Sequence, residues 1–111
     1  MSSVISKITK RHAFPVTIDG ETVHLCAMTH AQTRAVAQLD DSLQQTYVVA
    51  CCLVDDAGQR LCERRSGESN LQYAERAAEV FGDLTFPVLK ELIDEINRVS
   101  RPPTVETATK N

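Results

Sequence analysis

A chain of 111 residues has room for one modest core and is too short for two. Apolar residues make up 42% and aromatic ones 5%, with no tryptophan, so the core must be built from Val, Leu, Ile and Ala. A net charge of −3 gives no whole-chain field for gathering polyanions, and no stretch nears the ~18–20 apolar residues of a membrane span.

The N-terminus, MSSVISKITKRH, lacks the basic, apolar, then small-residue layout of a signal peptide. The expected compartment is therefore the cytoplasm, where thiols stay reduced. Lys7, Lys10, Arg11 and His12 form the one basic run. Without interleaved aromatics to stack on bases, residues 1–13 read as a flexible, solvated arm.

Residues 14–27, FPVTIDGETVHLCA, read as a β-hairpin. Asp19-Gly20 is the favoured pair for a type I′ turn, flanked by Val16 and Ile18 on one side and Val23 and Leu25 on the other. Alternation with Thr17, Thr22 and His24 predicts one buried face, which must pack on helices because a lone ribbon is barely stable. Thr29-His30-Ala31-Gln32 is a capping box. It should open a short helix running to about Leu39, with Ala35, Val36 and Leu39 inward and Asp40, Asp41 and Ser42 closing it and capping the next.

The second helix is expected from Leu43 to about Val54, apolar nearly all round and therefore central. It contains an adjacent thiol pair, Cys51-Cys52. A vicinal disulfide would be distorted, and no Cys-x-x-Cys pairing supports zinc. His24 and Cys26 alone do not close a tetrahedral site, so no metal or other cofactor is expected. In an apolar run the thiols should serve as small hydrophobes. Asp55-Asp56-Ala57-Gly58 reads as the helix stop, with Gly58 supplying the positive backbone angle.

Gln59 to Leu61 is a short extended piece and ERRSGESN a polar loop. Asn70 is the expected cap of a third helix, with Leu71, Ala74, Ala78 and Phe81 on its inner stripe and Gly82 as its stop. Thr85 should cap a fourth, with Pro87 tolerated in the first turn. Phe86, Leu89, Leu92, Ile93, Ile96 and Val99 make the cleanest amphipathic stripe in the chain, opposite Lys90, Glu91, Asp94, Glu95 and Arg98. The predicted fold is mainly α, of α+β class: an N-terminal hairpin packed on about four helices over residues 14–100, with 101–111 a disordered tail.

Over residues 14–100, and most clearly in Tyr47 to Leu61 and Phe81 to Ser100, this pattern resembles the tail assembly chaperones of long, non-contractile-tailed phages. The residues that carry it are the hairpin, the apolar helix ending in LVDDAGQRL and the terminal LKELIDEINRVS. Cys62 departs from the pattern, where a larger apolar group would be expected. The resemblance implies a non-enzymatic factor in the host bacterial cytoplasm, absent from the mature virion, that coats the tape measure protein and promotes tail tube polymerisation as a homo-oligomer. It also implies a longer product, made by ribosomal frameshifting, whose added domain contacts the tail tube protein. Thr109-Lys110-Asn111 can be encoded ACA-AAA-AAC, which contains the slippery string A-AAA-AAC. The expected client-binding residues are Leu89, Leu92, Ile96, Val99 and Arg101, at the junction of the fourth helix and the tail.

Two other classes fit the same length. A nucleic-acid-binding regulator would use the basic arm and the first two helices, but the acidic Asp40-Asp41-Ser42 connection sits where phosphate would lie. A structural head-tail joining protein would stay in the virion. No nucleotide-binding glycine pattern, catalytic carboxylate pair or Ser/His or Cys/His arrangement points to an enzyme.

Overall fold

The hairpin forms as the turn chemistry requires. In a computed structural model, which describes residues 13–100, β1 (Phe14–Ile18) pairs antiparallel with β2 (Glu21–Leu25), Val16 opposite Val23 and Thr17 opposite Thr22. Asp19 and Gly20 both carry positive φ, 51° and 82°, the requirement of a type I′ turn. Ile18 and Leu25 are buried and Val16 and Val23 lean on the core, while Thr17 and Thr22 face outward. The basic arm to His12, the tail and Arg101 lie outside the described residues.

Four helices follow: α1 (His30–Ala37), α2 (Asp41–Cys52), α3 (Asn70–Val80) and α4 (Phe86–Ser100). The Thr29 hydroxyl accepts the Gln32 N–H at 3.1 Å and the Gln32 side chain accepts the Thr29 N–H at 2.9 Å, completing the expected capping box. Helix α1 stops two residues before Leu39. Its end is closed by Gln44, whose amide donates to the Val36 and Leu39 carbonyls at 3.2 and 3.1 Å. The Asp40-Asp41-Ser42 run does not do this, and Asp40 caps α2 without a side-chain bond. The cap of α3 is Ser69, which forms a second capping box with Gln72, and Asn70 is the first helical residue.

Helix α2 is central, packed by α1, α3 and α4, with every residue from Tyr47 to Cys52 buried. All four cysteines are buried thiols and no disulfide links them. The helix ends earlier than its apolar run. Leu53–Val54 leave it as β3, paired antiparallel with β2 through Leu25↔Leu53 and His24↔Val54 in a sheet of order β1-β2-β3. Tertiary pairing wins because the end of the apolar run gains bonds on both sides: the Cys52 carbonyl accepts the Cys26 N–H at 2.8 Å and the Leu53 carbonyl accepts the Leu61 N–H at 3.2 Å.

Gly58 is consequently not a helix stop. It sits at φ 89° in the turn that brings Arg60 back against Val54. The Asp55 carboxylate organises that turn by accepting the Ala57 and Gln59 N–H groups, both at 2.9 Å. Space around Gly58 is open, so Gly58→Ala should lose only the cost of left-handed backbone, about 1–2 kcal/mol, read as a shifted denaturation midpoint with an unchanged slope.

Tyr73 is the residue that the expected stripe of α3 left out. The inner face is Tyr73, Ala74 and Ala77, with Phe81 half-buried at its end, while Leu71 is 51% exposed. The Tyr73 ring is wholly buried and meets Tyr47 edge-on, centroids 5.9 Å apart. Arg64 and Arg76 hold their guanidinium carbons 4.7 and 5.5 Å from its centroid. Its hydroxyl donates to the Cys62 carbonyl, with the Ala50 carbonyl 3.0 Å away as a second acceptor, and burial pushes its pKa up, so it stays a donor.

Arg76 also anchors the loop before α3. Its Nε and Nη2 bind the two carboxylate oxygens of Glu68, each at 2.8 Å, and Nη2 donates to the Glu63 carbonyl. The hydrogen bond from Arg76, helped by the Arg65 backbone N–H, holds the Glu68 carboxyl down to about 2, against its ordinary 4.5. A carboxylate whose folded pKa is lowered adds stability that is complete above its unfolded pKa and is lost as pH falls toward the folded one. Wild type should therefore exceed Glu68→Gln in stability at pH 7. Urea titrations should show that difference shrinking from pH 4.5 to pH 2. A difference independent of pH would show that the ion pair contributes nothing.

Candidate partner-binding surface

Helix α4 divides its apolar residues between two faces. At about 100° per residue, Leu89, Leu92, Ile96 and Val99 cluster toward the core, and Phe86 and Ile93, seven apart, share a ridge turned roughly 100° from Leu92. Leu89, Leu92 and Ile96 are buried, Ile96 completely, and Val99 is half-buried. Leu89, Leu92 and Ile96, expected at the client interface, fill the protein's own core, where α4 packs against α2 and the hairpin. A client cannot reach these three without opening the fold.

Ile93 is half-buried and also packs on the core, so α4 offers outward Phe86 together with the open edge of Ile93. Phe86 is 85% exposed, although it was expected on the inner stripe. With Pro87, Lys90, Ile93 and Asp94 of α4 and Gln45 of α2, it lines an open groove of about 670 Å³. Phe86 is the first residue of the helix, immediately before Pro87, and little of the described fold covers it. Lys90 and Asp94 form an i,i+4 ion pair at 2.7 Å along the rim, and this bond raises the Lys90 pKa. The groove thus has an apolar floor with one charge of each sign at its edge. The seven-residue spacing of Phe86 and Ile93 was the available sequence signal, hidden because both fit a broad helical stripe.

The far end of α4 is fixed in place. The Ser100 hydroxyl accepts the Met28 N–H at 2.9 Å, joining the helix to the link between β2 and α1. Among the described residues no group of three or more His, Cys, Asp or Glu is placed to hold a metal ion, and no helix is long and apolar enough to cross a membrane.

Fold and groove define a small α+β domain, a three-stranded antiparallel sheet on four helices, with an open groove on α4 that exposes Phe86. No protein-family model matches the chain, and comparisons with curated proteins and with solved structures find no significant match.

Proposed function

We propose that this protein is a non-enzymatic assembly chaperone for long, non-contractile phage tails, which binds the tape measure protein and promotes tail tube polymerisation around it. The reading starts from the resemblance in Tyr47 to Leu61 and Phe81 to Ser100. The observation that carries it is Phe86, exposed beside Ile93 on a groove with a charged rim. A large aromatic left in water contributes nothing to its own fold, and covering it with a partner recovers about 1.5–3 kcal/mol.

The client is a long amphipathic helix whose apolar side chains seat on Phe86, Pro87 and Ile93, with polar neighbours against Lys90 and Asp94. Single grooves bind weakly. Many copies along one client, associated with each other, give firm coating by avidity that the polymerising tube can displace. The longer frameshifted product belongs to the same proposal and supplies the contact to the tail tube protein. A helix-turn-helix would read bases with the first turns of α2, and the exposed acid there, Asp41, repels phosphate, which favours this reading over a helix-turn-helix regulator.

The test is co-expression of the full chain with the tape measure protein encoded in the same genome, as wild type and as Phe86→Asp. The expected result is a soluble complex with wild type, lost or weakened at least tenfold with the variant while its circular dichroism is unchanged. Equal binding by Phe86→Asp removes the groove from the mechanism. Failure of the wild type to bind, with the protein retained in purified virions, would assign it to head-tail joining instead.

A further inference from the structure

The chain is acidic overall, yet one face collects arginines. A cleft of about 420 Å³ between the start of α1, the start of α3 and the 60–64 segment is lined by Thr29, Gln32, Tyr47, Arg60, Arg64 and Asn70, along with Ala31 and Ala35. None of these residues is acidic. A second concavity shares Ala31, Ala35 and Asn70 with it and adds Arg34, again without an acidic lining residue. Arg34, Arg60 and Arg64 form no ion pair with any described carboxylate, whereas Arg76 and Arg98 do.

Arg64 is held ready. Its guanidinium lies 4.7 Å over the Tyr73 ring, and its Nη2 donates to the Tyr47 hydroxyl at 3.4 Å. That hydroxyl in turn donates to Asn70 Oδ1 at 3.4 Å. The ring and the Tyr47 hydroxyl steady the exposed fork, whose other N–H groups meet no acceptor among the described residues, and an arginine fork of this kind recognises a planar or tetrahedral oxyanion. Arg60 is half-buried on the same cleft, placed there by the backbone bridge of Arg60 to Val54.

We infer that this cleft binds the phosphate group of a small molecule, gripped by the Arg60 and Arg64 guanidiniums, with Thr29, Gln32 and Asn70 as polar neighbours and the Ala31–Ala35 side of α1 against the rest of the ligand. At about 420 Å³ the cleft is of small-molecule size, which sets the class of ligand. The site is separate from the α4 groove, so Phe86→Asp leaves it intact and the two readings fail independently.

The test is a titration of the full, nitrogen-15-labelled chain with inorganic phosphate, against sodium chloride and sodium acetate at equal ionic strength. Saturable shifts should be confined to the Arg60 and Arg64 Nε–H signals and to the amides around Thr29–Gln32 and Asn70. Arg60→Gln should weaken them at least tenfold while Arg60→Lys retains most of the response, since the Arg60 bridge uses backbone alone. Acetate acting as strongly as phosphate overturns the proposal, as do shifts spread equally over exposed Arg98 and Lys90. Binding of an oligonucleotide with steep salt dependence, and no response to inorganic phosphate, assigns the arginines to a polyanion and overturns it as well. The wild-type titration stands without the variants: no saturable shift at Arg60 or Arg64 ends the proposal.

Discussion

Tyr73→Ala is expected to cost about 3–5 kcal/mol, the range for truncating a fully buried aromatic. Three losses combine. The ring's removal opens a cavity against Tyr47 and strips the stacking surface from Arg64 and Arg76. The third loss is the hydroxyl. Helix α2 ends at Cys52 because Leu53–Val54 turn into the sheet, so the Ala50 carbonyl has no helical N–H four residues on. The Tyr73 hydroxyl stands 3.0 Å from that carbonyl and also donates to Cys62 in the loop returning from β3. Tyr73→Phe isolates this part and should cost about 1–3 kcal/mol, the range for leaving a buried acceptor without its donor. For a domain of this size, with a total stability of about 5–15 kcal/mol, the alanine variant removes a large fraction. Urea unfolding followed by circular dichroism reads both. A loss below about 1 kcal/mol for Tyr73→Ala would show that the aromatic pair does not organise the helix-to-strand switch.

Ile96→Ala is the second large effect, and its value lies in the contrast with Phe86. Ile96 is fully buried between α4 and the rest of the core, so truncation should cost about 2–5 kcal/mol, depending on how far the neighbours close in. Phe86→Ser, at a position 85% exposed, should change stability by no more than about 0.5 kcal/mol. Their effects on client capture should run the other way: Phe86→Ser weakens it directly, and Ile96→Ala only in proportion to the unfolded fraction. Denaturant curves alongside capture of the tape measure protein, below the unfolding midpoint of each variant, separate the two. A stable Ile96→Ala that has lost capture would return the binding surface to the inner stripe.

Much of the element plan was legible from local rules. Asp19-Gly20 between alternating Val and Ile has few conformations other than a tight hairpin, and Thr29 with Gln32 satisfies the first amides of a helix from its own side chains, so neither needs the rest of the chain. The stripe Leu89, Leu92, Ile96 repeats at helical spacing with charges opposite, and a helix with that face must bury it. The same reasoning misplaced Asn70 as a cap, because Ser69 and Asn70 are both good caps and only the pairing of Ser69 with Gln72 distinguishes them.

The candidate surface was less legible. Phe86 satisfied the apolar stripe as well as its buried neighbours did, and nothing local says how wide a core-facing stripe will be: Ile93 still packs on the core at the edge of the stripe and Phe86 does not. The arginine cleft draws its residues from α1, α2, the return after β3 and the start of α3, and no spacing in sequence announces such a meeting.

By itself the sequence determined the hairpin turn, the Thr29–Gln32 capping box and the helical periodicities, because these depend on contacts within a few residues, and with them the class: a hairpin on four helices. The tertiary structure alone decided that Leu53–Val54 become a strand, that Tyr73 rather than Leu71 enters the core, and that Phe86 stays in water. Each is a competition between partners far apart in the chain. The strand wins its ladder bonds from β2, Tyr73 wins because Ala50 and Cys62 supply acceptors for its hydroxyl, and Phe86 stays outside because nothing in the described fold reaches far enough to cover it.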